Sequence, residues 1–143
     1  MERSTAGPAR SVTTGTGTRP PRPLLRPVLI DLEREAATLY GEPEWAERDR
    51  NSRTVATTDR MRIVLTALRA GAELGSAETD HTLAVQALRG DLRLTVDGAD
   101  VDLRPGQLAT VEEPRDWAIR ATSDALLLLT VALADEPSPA HRD

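Results

Sequence analysis

From Arg69 to Thr130 the chain alternates short apolar and polar runs with turn signals. These fall at Gly71, Gly90, Asp97-Gly98, Pro105-Gly106, Glu113-Pro114 and Ser123-Asp124. That rhythm predicts a compact antiparallel β fold. Arg53 to Thr57 and Met61 to Arg69 read as strands separated by Thr58-Asp59-Arg60, and Ile63, Leu65 and Ala67 alternate with Arg62, Val64 and Thr66. Thr82 to Leu88 follows. In Asp91 to Val96, Leu92, Leu94 and Val96 point one way while Asp91, Arg93 and Thr95 point the other, the pattern of a half-buried strand. Asp97-Gly98 is a two-residue hairpin signal, and Val101 and Leu103 are expected on the inward face of the returning strand. Leu108 to Val111, Trp117 to Ala121 and Ala125 to Ala132 complete eight strands. With no helix between them, they suit a sandwich or small barrel.

Ahead of the strands the period changes. Asp31 to Tyr40 reads as a short helix with Asp31 as N-cap, Glu33 and Glu35 in the first turn, and Leu32, Ala36 and Leu39 on one face. Gly41 supplies the stop, and Trp45 packs the following linker onto the domain. Residues 1–26 are rich in Thr, Gly, Pro and Arg and are expected to be a disordered basic tail. The expected organisation is this tail, a helix and linker over 27–50, a barrel over 51–133 and a polar tail over 134–143.

Composition narrows the chemistry. A chain of 143 residues holds one domain with tails. Phe is absent and Trp occurs twice, so the core rests on Leu, Val and Ala, with few platforms for stacking bases. Every basic side chain is Arg, which fits the codon bias of a GC-rich, bacterial genome, and the missing Lys excludes Schiff-base catalysis. Without Cys there are no disulfides, thiolate catalysis or Cys-held metal, as expected of a cytoplasmic protein. The longest apolar run, Ala125 to Leu129, is strand-sized, so no membrane segment is expected; the N-terminus lacks a secretory h-region. The net charge of -5 divides into +4 before Pro27 and -9 after it. An acidic folded domain argues against a nucleic-acid groove on that domain.

The glycine spacing is more specific. Gly71 to Gly90 resembles the first motif of the cupin superfamily: Gly, five residues, His-x-His, three or four residues, Glu, six residues, Gly. Gly106 fits the start of the second, which ends in a histidine and an asparagine. The resemblance spans roughly Ser52 to Leu133 and implies an all-β, single-domain cupin-like β-barrel or jelly roll. It also implies where metal ligands would stand. Ala77 and Thr79 occupy the two motif-one histidine positions, Leu83 the glutamate, Trp117 the motif-two histidine and Ala121 the asparagine. Glu112 and Pro114 fill the Pro and Gly positions between. The implied protein is a metal-free cupin without a cofactor. Small cupins commonly pair, so a homodimer is expected.

Three functions follow. One is a small-molecule-binding, sensor or accessory protein, with Trp117, Gln86 and Thr79 as ligand contacts. In the family register Trp117 enters the barrel, where it either floors an apolar pocket or fills the core; Gln86 either faces that pocket or sits outward. The second is a metal-independent isomerase, epimerase or cyclase with His81 as general base and Glu78 beside it. His81 also reads as a loop or strand-start residue that is merely solvated. The third is a structural interaction module with a filled barrel. Glu112-Glu113 reads as a solvated turn pair. Arg93 and Arg104 read as outward-facing partners of Asp91, Asp100 or Asp102, against the alternative of an anion site with Arg89.

Overall fold

The computed structural model describes residues 27–75, 81–114 and 116–133. The two expected tails, 1–26 and 134–143, lie outside them. Helix α1 (Leu32–Tyr40) and the short α2 (Pro43–Glu47) precede nine strands. These are β1 (Arg50–Thr57), β2 (Met61–Leu68), β3 (Glu73–Gly75), β4 (Leu83–Arg89), β5 (Leu92–Val96), β6 (Ala99–Leu103), β7 (Leu108–Val111), β8 (Trp117–Ala121) and β9 (Ala125–Ala132). They form two antiparallel sheets, ordered β1-β2-β9-β4-β7 and β3-β8-β5-β6. Sequence-distant strands are neighbours in both, as a jelly roll requires.

The inner faces of the two sheets build the main core. Leu68, Leu83, Val85, Ala87, Leu127, Leu129 and Val131 come from the larger sheet. Leu74, Leu92, Leu94, Leu103, Trp117 and Ile119 come from the smaller. The outer face of the smaller sheet is polar. Glu73 lies opposite Arg120, Arg120 opposite Arg93, and Arg93 opposite Asp102. Arg93 Nε donates to Asp102 at 2.8 Å, and Thr95 Oγ1 donates to the Asp100 carboxylate at 2.7 Å.

A second core lies on the outer face of the larger sheet. Ala36 and Leu39 of α1 pack there against Leu65, Ala67 and Leu126, with Val55, Leu88 and Leu128 at its edge. The Asp31 side chain caps α1 by accepting from the amides of Glu33 and Arg34. Ion pairs Glu35–Arg53 and Glu33–Arg89 tie the helix to β1 and β4. Buried Asn51 donates to Leu39 O at 3.0 Å and to Glu42 Oε1 at 2.9 Å, closing the end of the helix. Tyr40 meets Trp45 edge to face at 5.2 Å between ring centroids, and the Arg69 guanidinium covers the Trp45 ring at 3.9 Å. Trp45 thus fastens the linker to the domain as expected.

Four local expectations change. The short strand β3 was hidden because its three residues are too few to show a period. Val101 lies opposite Leu94 and so shares the inward face as expected, but it is 48% exposed, because β6 is an edge strand from which only Leu103 is buried. Gly41 ends α1 at φ −84°, without a left-handed turn, and Pro43 starts α2 at once. The face of β2 carrying Arg62, Val64 and Thr66 turns into the barrel, since the more apolar Leu65 and Ala67 are taken by α1.

Candidate functional site

Where β1 forms the edge of the larger sheet, the two sheets part and leave a cleft of about 250 Å³. Antiparallel register fixes its wall. Ser52 lies opposite Thr66, Thr54 opposite Val64, Val64 opposite Leu129 and Arg62 opposite Val131. Residues facing each other across a ladder share a side of the sheet, so this whole set points into the barrel. Leu74 of β3 closes the cleft from the smaller sheet.

The lining is amphipathic. Val64, Leu74, Leu129 and Val131 provide the apolar wall, while Ser52, Thr54, Arg62 and Thr66 provide the polar one. Thr66 is 1% exposed, and its hydroxyl is 3.0 Å from that of Ser52, which satisfies a polar group that would be costly to bury alone. Ser52, Thr54 and Arg62 reach solvent at the mouth. Among the described residues no carboxylate lines the cleft and none pairs with Arg62. Arg50, Arg53, Arg89 and Arg93, by contrast, each hold an acidic partner on the outer surface. The possible anion site of Arg89, Arg93 and Arg104 does not assemble. Arg89 reaches back to Glu33 on α1, and Arg93 binds Asp102 on the other sheet's outer face.

The residues singled out in the sequence are dispersed. Trp117 is 1% exposed within the main core and is not among the side chains lining the cleft. Gln86 lies opposite Leu108 and Leu128, and Leu128 packs at the edge of the core under α1. Its side chain therefore occupies the outer face of the sheet, away from Trp117; of its two readings, the outward one holds. His81 is exposed in the bend before β4. Glu78 and Thr79 lie outside the described residues. Glu112 and Glu113 are both exposed, and Glu113 adopts φ +41° at the turn. The cleft residues were hidden because a Ser-Thr-Arg face normally marks the solvent side of a strand. The one available signal was Ala125 to Leu129, a run apolar at every position. It marks a strand buried on both faces, and so a covering element outside the barrel.

No protein-family model matches the chain, and no curated protein matches it. Solved structures do. A cupin superfamily protein from Desulfitobacterium hafniense DCB-2 is 22% identical, with a TM-score of 0.53, over 59% of this chain and 78% of that one. The cupin_2 domain of an XRE family transcriptional regulator from Enterobacter cloacae is 18% identical, with a TM-score of 0.54, over 62% of this chain and 100% of that one. Salicylate 1,2-dioxygenase from Pseudoaminobacter salicylatoxidans is 16% identical, with a TM-score of 0.60, over 71% of this chain and 32% of that one.

The metal associated with the cupin motifs does not fit this donor set. Leu83, at the glutamate position, and Trp117, at the second histidine, are 2% and 1% exposed in an apolar core. Ala77 has no donor atom, and Thr79 offers only a hydroxyl. Among the described residues no three His, Asp or Glu side chains gather. Imidazole and carboxylate converging from two strands are what such a site needs. None of the described helices is long and apolar enough to cross a membrane. The paired antiparallel sheets, the motif glycines at the turns and the structural neighbours converge on one description: this chain has the fold of the cupin superfamily.

Proposed function

We propose that this protein binds a small molecule in the cleft between β1, β2, β9 and β3, as a sensor or accessory protein. The observation that carries the reading is the cleft itself. It is a concave space inside the barrel in which an apolar wall faces a few convergent polar groups, the usual make-up of a ligand site. At about 250 Å³ it lies below the range of drug-sized sites, which suits a compact metabolite. A purely structural module would have filled this space with side chains, as the core around Trp117 is filled. The fold alone does not choose between binding and catalysis, since it serves both a regulator domain and a dioxygenase.

The test is occlusion. Thr54 is exposed at the mouth, so Thr54→Trp should plug the cleft while leaving the core untouched. A panel of small organic acids, amides and polyols is screened by ligand-observed NMR against the full chain and this variant. Hits on the parent that vanish on Thr54→Trp support the reading, whereas hits unaffected by the plug, or no hits at all, overturn it. His81→Ala should leave those hits unchanged. Turnover of a bound compound that depends on His81 would instead favour the isomerase-type alternative.

A further inference from the structure

We infer that the cleft takes a monocarboxylate with a short apolar body, its carboxylate held by Arg62. This deepens the binding reading and rests on it. The argument starts from charge. The chain after Pro27 is strongly acidic, yet the polar side of the cleft is made of one guanidinium and three hydroxyls. Three other arginines on the barrel strands are matched by carboxylates from the chain itself: Arg53 by Glu35, Arg89 by Glu33 and Arg93 by Asp102. Arg62 sits on the inward row between Val131 and Thr57, with no such partner among the described residues. A guanidinium presents two parallel N–H groups matched to a carboxylate, and such charge-assisted pairs are among the stronger hydrogen bonds available.

Neighbouring groups define the rest of the ligand. The Ser52 and Thr54 hydroxyls stand on the same face and can donate to a carboxylate oxygen, while Thr66 is engaged with Ser52. Val64, Leu74, Leu129 and Val131 leave nothing polar for the far end of the ligand, so its body is hydrocarbon. One cation balances one negative charge. A phosphate dianion would need further cationic or amide donors, and the lining supplies none. The small volume excludes long acyl chains. A four- to seven-carbon acid, aliphatic or aromatic, is the class that fits.

Matched acid and amide pairs test this on the full chain. Calorimetry and thermal shift compare butanoate with butanamide, benzoate with benzamide, and include phenyl phosphate. The acids should bind about tenfold to a hundredfold more tightly than their amides, the gain expected from charged hydrogen bonds. Arg62→Gln should erase that preference and leave residual affinity at the amide level. Arg62→Lys should restore part of it through charge without the fork. Far-UV circular dichroism shows whether each variant remains folded; Arg62 is exposed at the rim, so folding should be retained. Amides binding as well as acids, or Arg62→Gln keeping the preference, would overturn the carboxylate assignment while leaving small-molecule binding in place. Tighter binding of phenyl phosphate would replace the monocarboxylate by a phosphate ester. No binding by any probe, or binding untouched by Thr54→Trp, would overturn the underlying reading as well.

Discussion

Gly90 is the residue where sequence, backbone and packing are most tightly joined. It adopts φ +71° at the turn out of β4, a region that favours glycine. A Cβ placed there would lie 2.1 Å from the carbonyl oxygen of Asp124 and 2.8 Å from Cα of Ala125. Both contacts are backbone, so a rotamer change cannot relieve them. Gly90→Ala should therefore cost about 2 kcal/mol or more, read as a lower denaturation midpoint at unchanged slope. Unaltered stability would show that the β4–β9 junction can shift to admit a methyl group. Gly90 was legible from spacing alone, because the turn must exist whatever the barrel binds. Trp117 was legible as an inward-facing residue, with core filling as one of its two readings. That outcome depends on the Leu, Val and Ala side chains around it, which leave bulk to be supplied. Arg62 and Thr66 were the least legible, since nothing local distinguishes a polar face turned to solvent from one lining a cleft.

At the scale of elements, α1 decides which face of the larger sheet becomes the inside. The helix places Ala36 and Leu39 over Leu65, Ala67 and Leu126, taking the more apolar face of β2 for itself. The barrel receives the other face, with its hydroxyls and its arginine. Such an assignment is tertiary: the alternation of β2 shows two faces but not which neighbour covers each. Hairpin β5–β6 is the opposite case. Asp97 and Gly98 adopt φ 48° and 91°, the turn that the dipeptide favours, and the register follows from it. The helix was legible for a similar reason, since Asp31 makes the capping contacts its position suggested. Asp31→Ala should lower stability by about 1 kcal/mol through two lost amide contacts at the N-terminus. Chemical denaturation measures it, and Asp31→Asn should recover most of the loss. If the alanine variant matches the parent, α1 is held by its buried face alone. The helix would then be a passive cover rather than an independently stabilised element.

For the whole molecule, the acidic surface sets the response to pH. Hydrogen bonding from Arg93 holds the Asp102 carboxyl below its ordinary value of 3.8, and Arg50 does the same for Asp49. Both groups are more acidic in the folded chain than in the unfolded one, so their ionised forms favour folding. Their contribution is complete above the ordinary carboxylate range and fades as pH falls through the folded-state values. Both pairs are fully exposed, so solvent and salt weaken them. The melting temperature should therefore stay level between about pH 7 and pH 5 and decline below about pH 4. Asp102→Asn removes one of these contributions. Its melting temperature should lie slightly below that of the parent at neutral pH and approach it as acid protonates Asp102 in both states. The gap should also narrow in high salt at neutral pH, which separates an electrostatic effect from lost packing. Two curves that remain parallel down to acid pH would assign the effect of Asp102 to the β5–β6 ladder itself. The charge it carries would then have no part in holding the smaller sheet together.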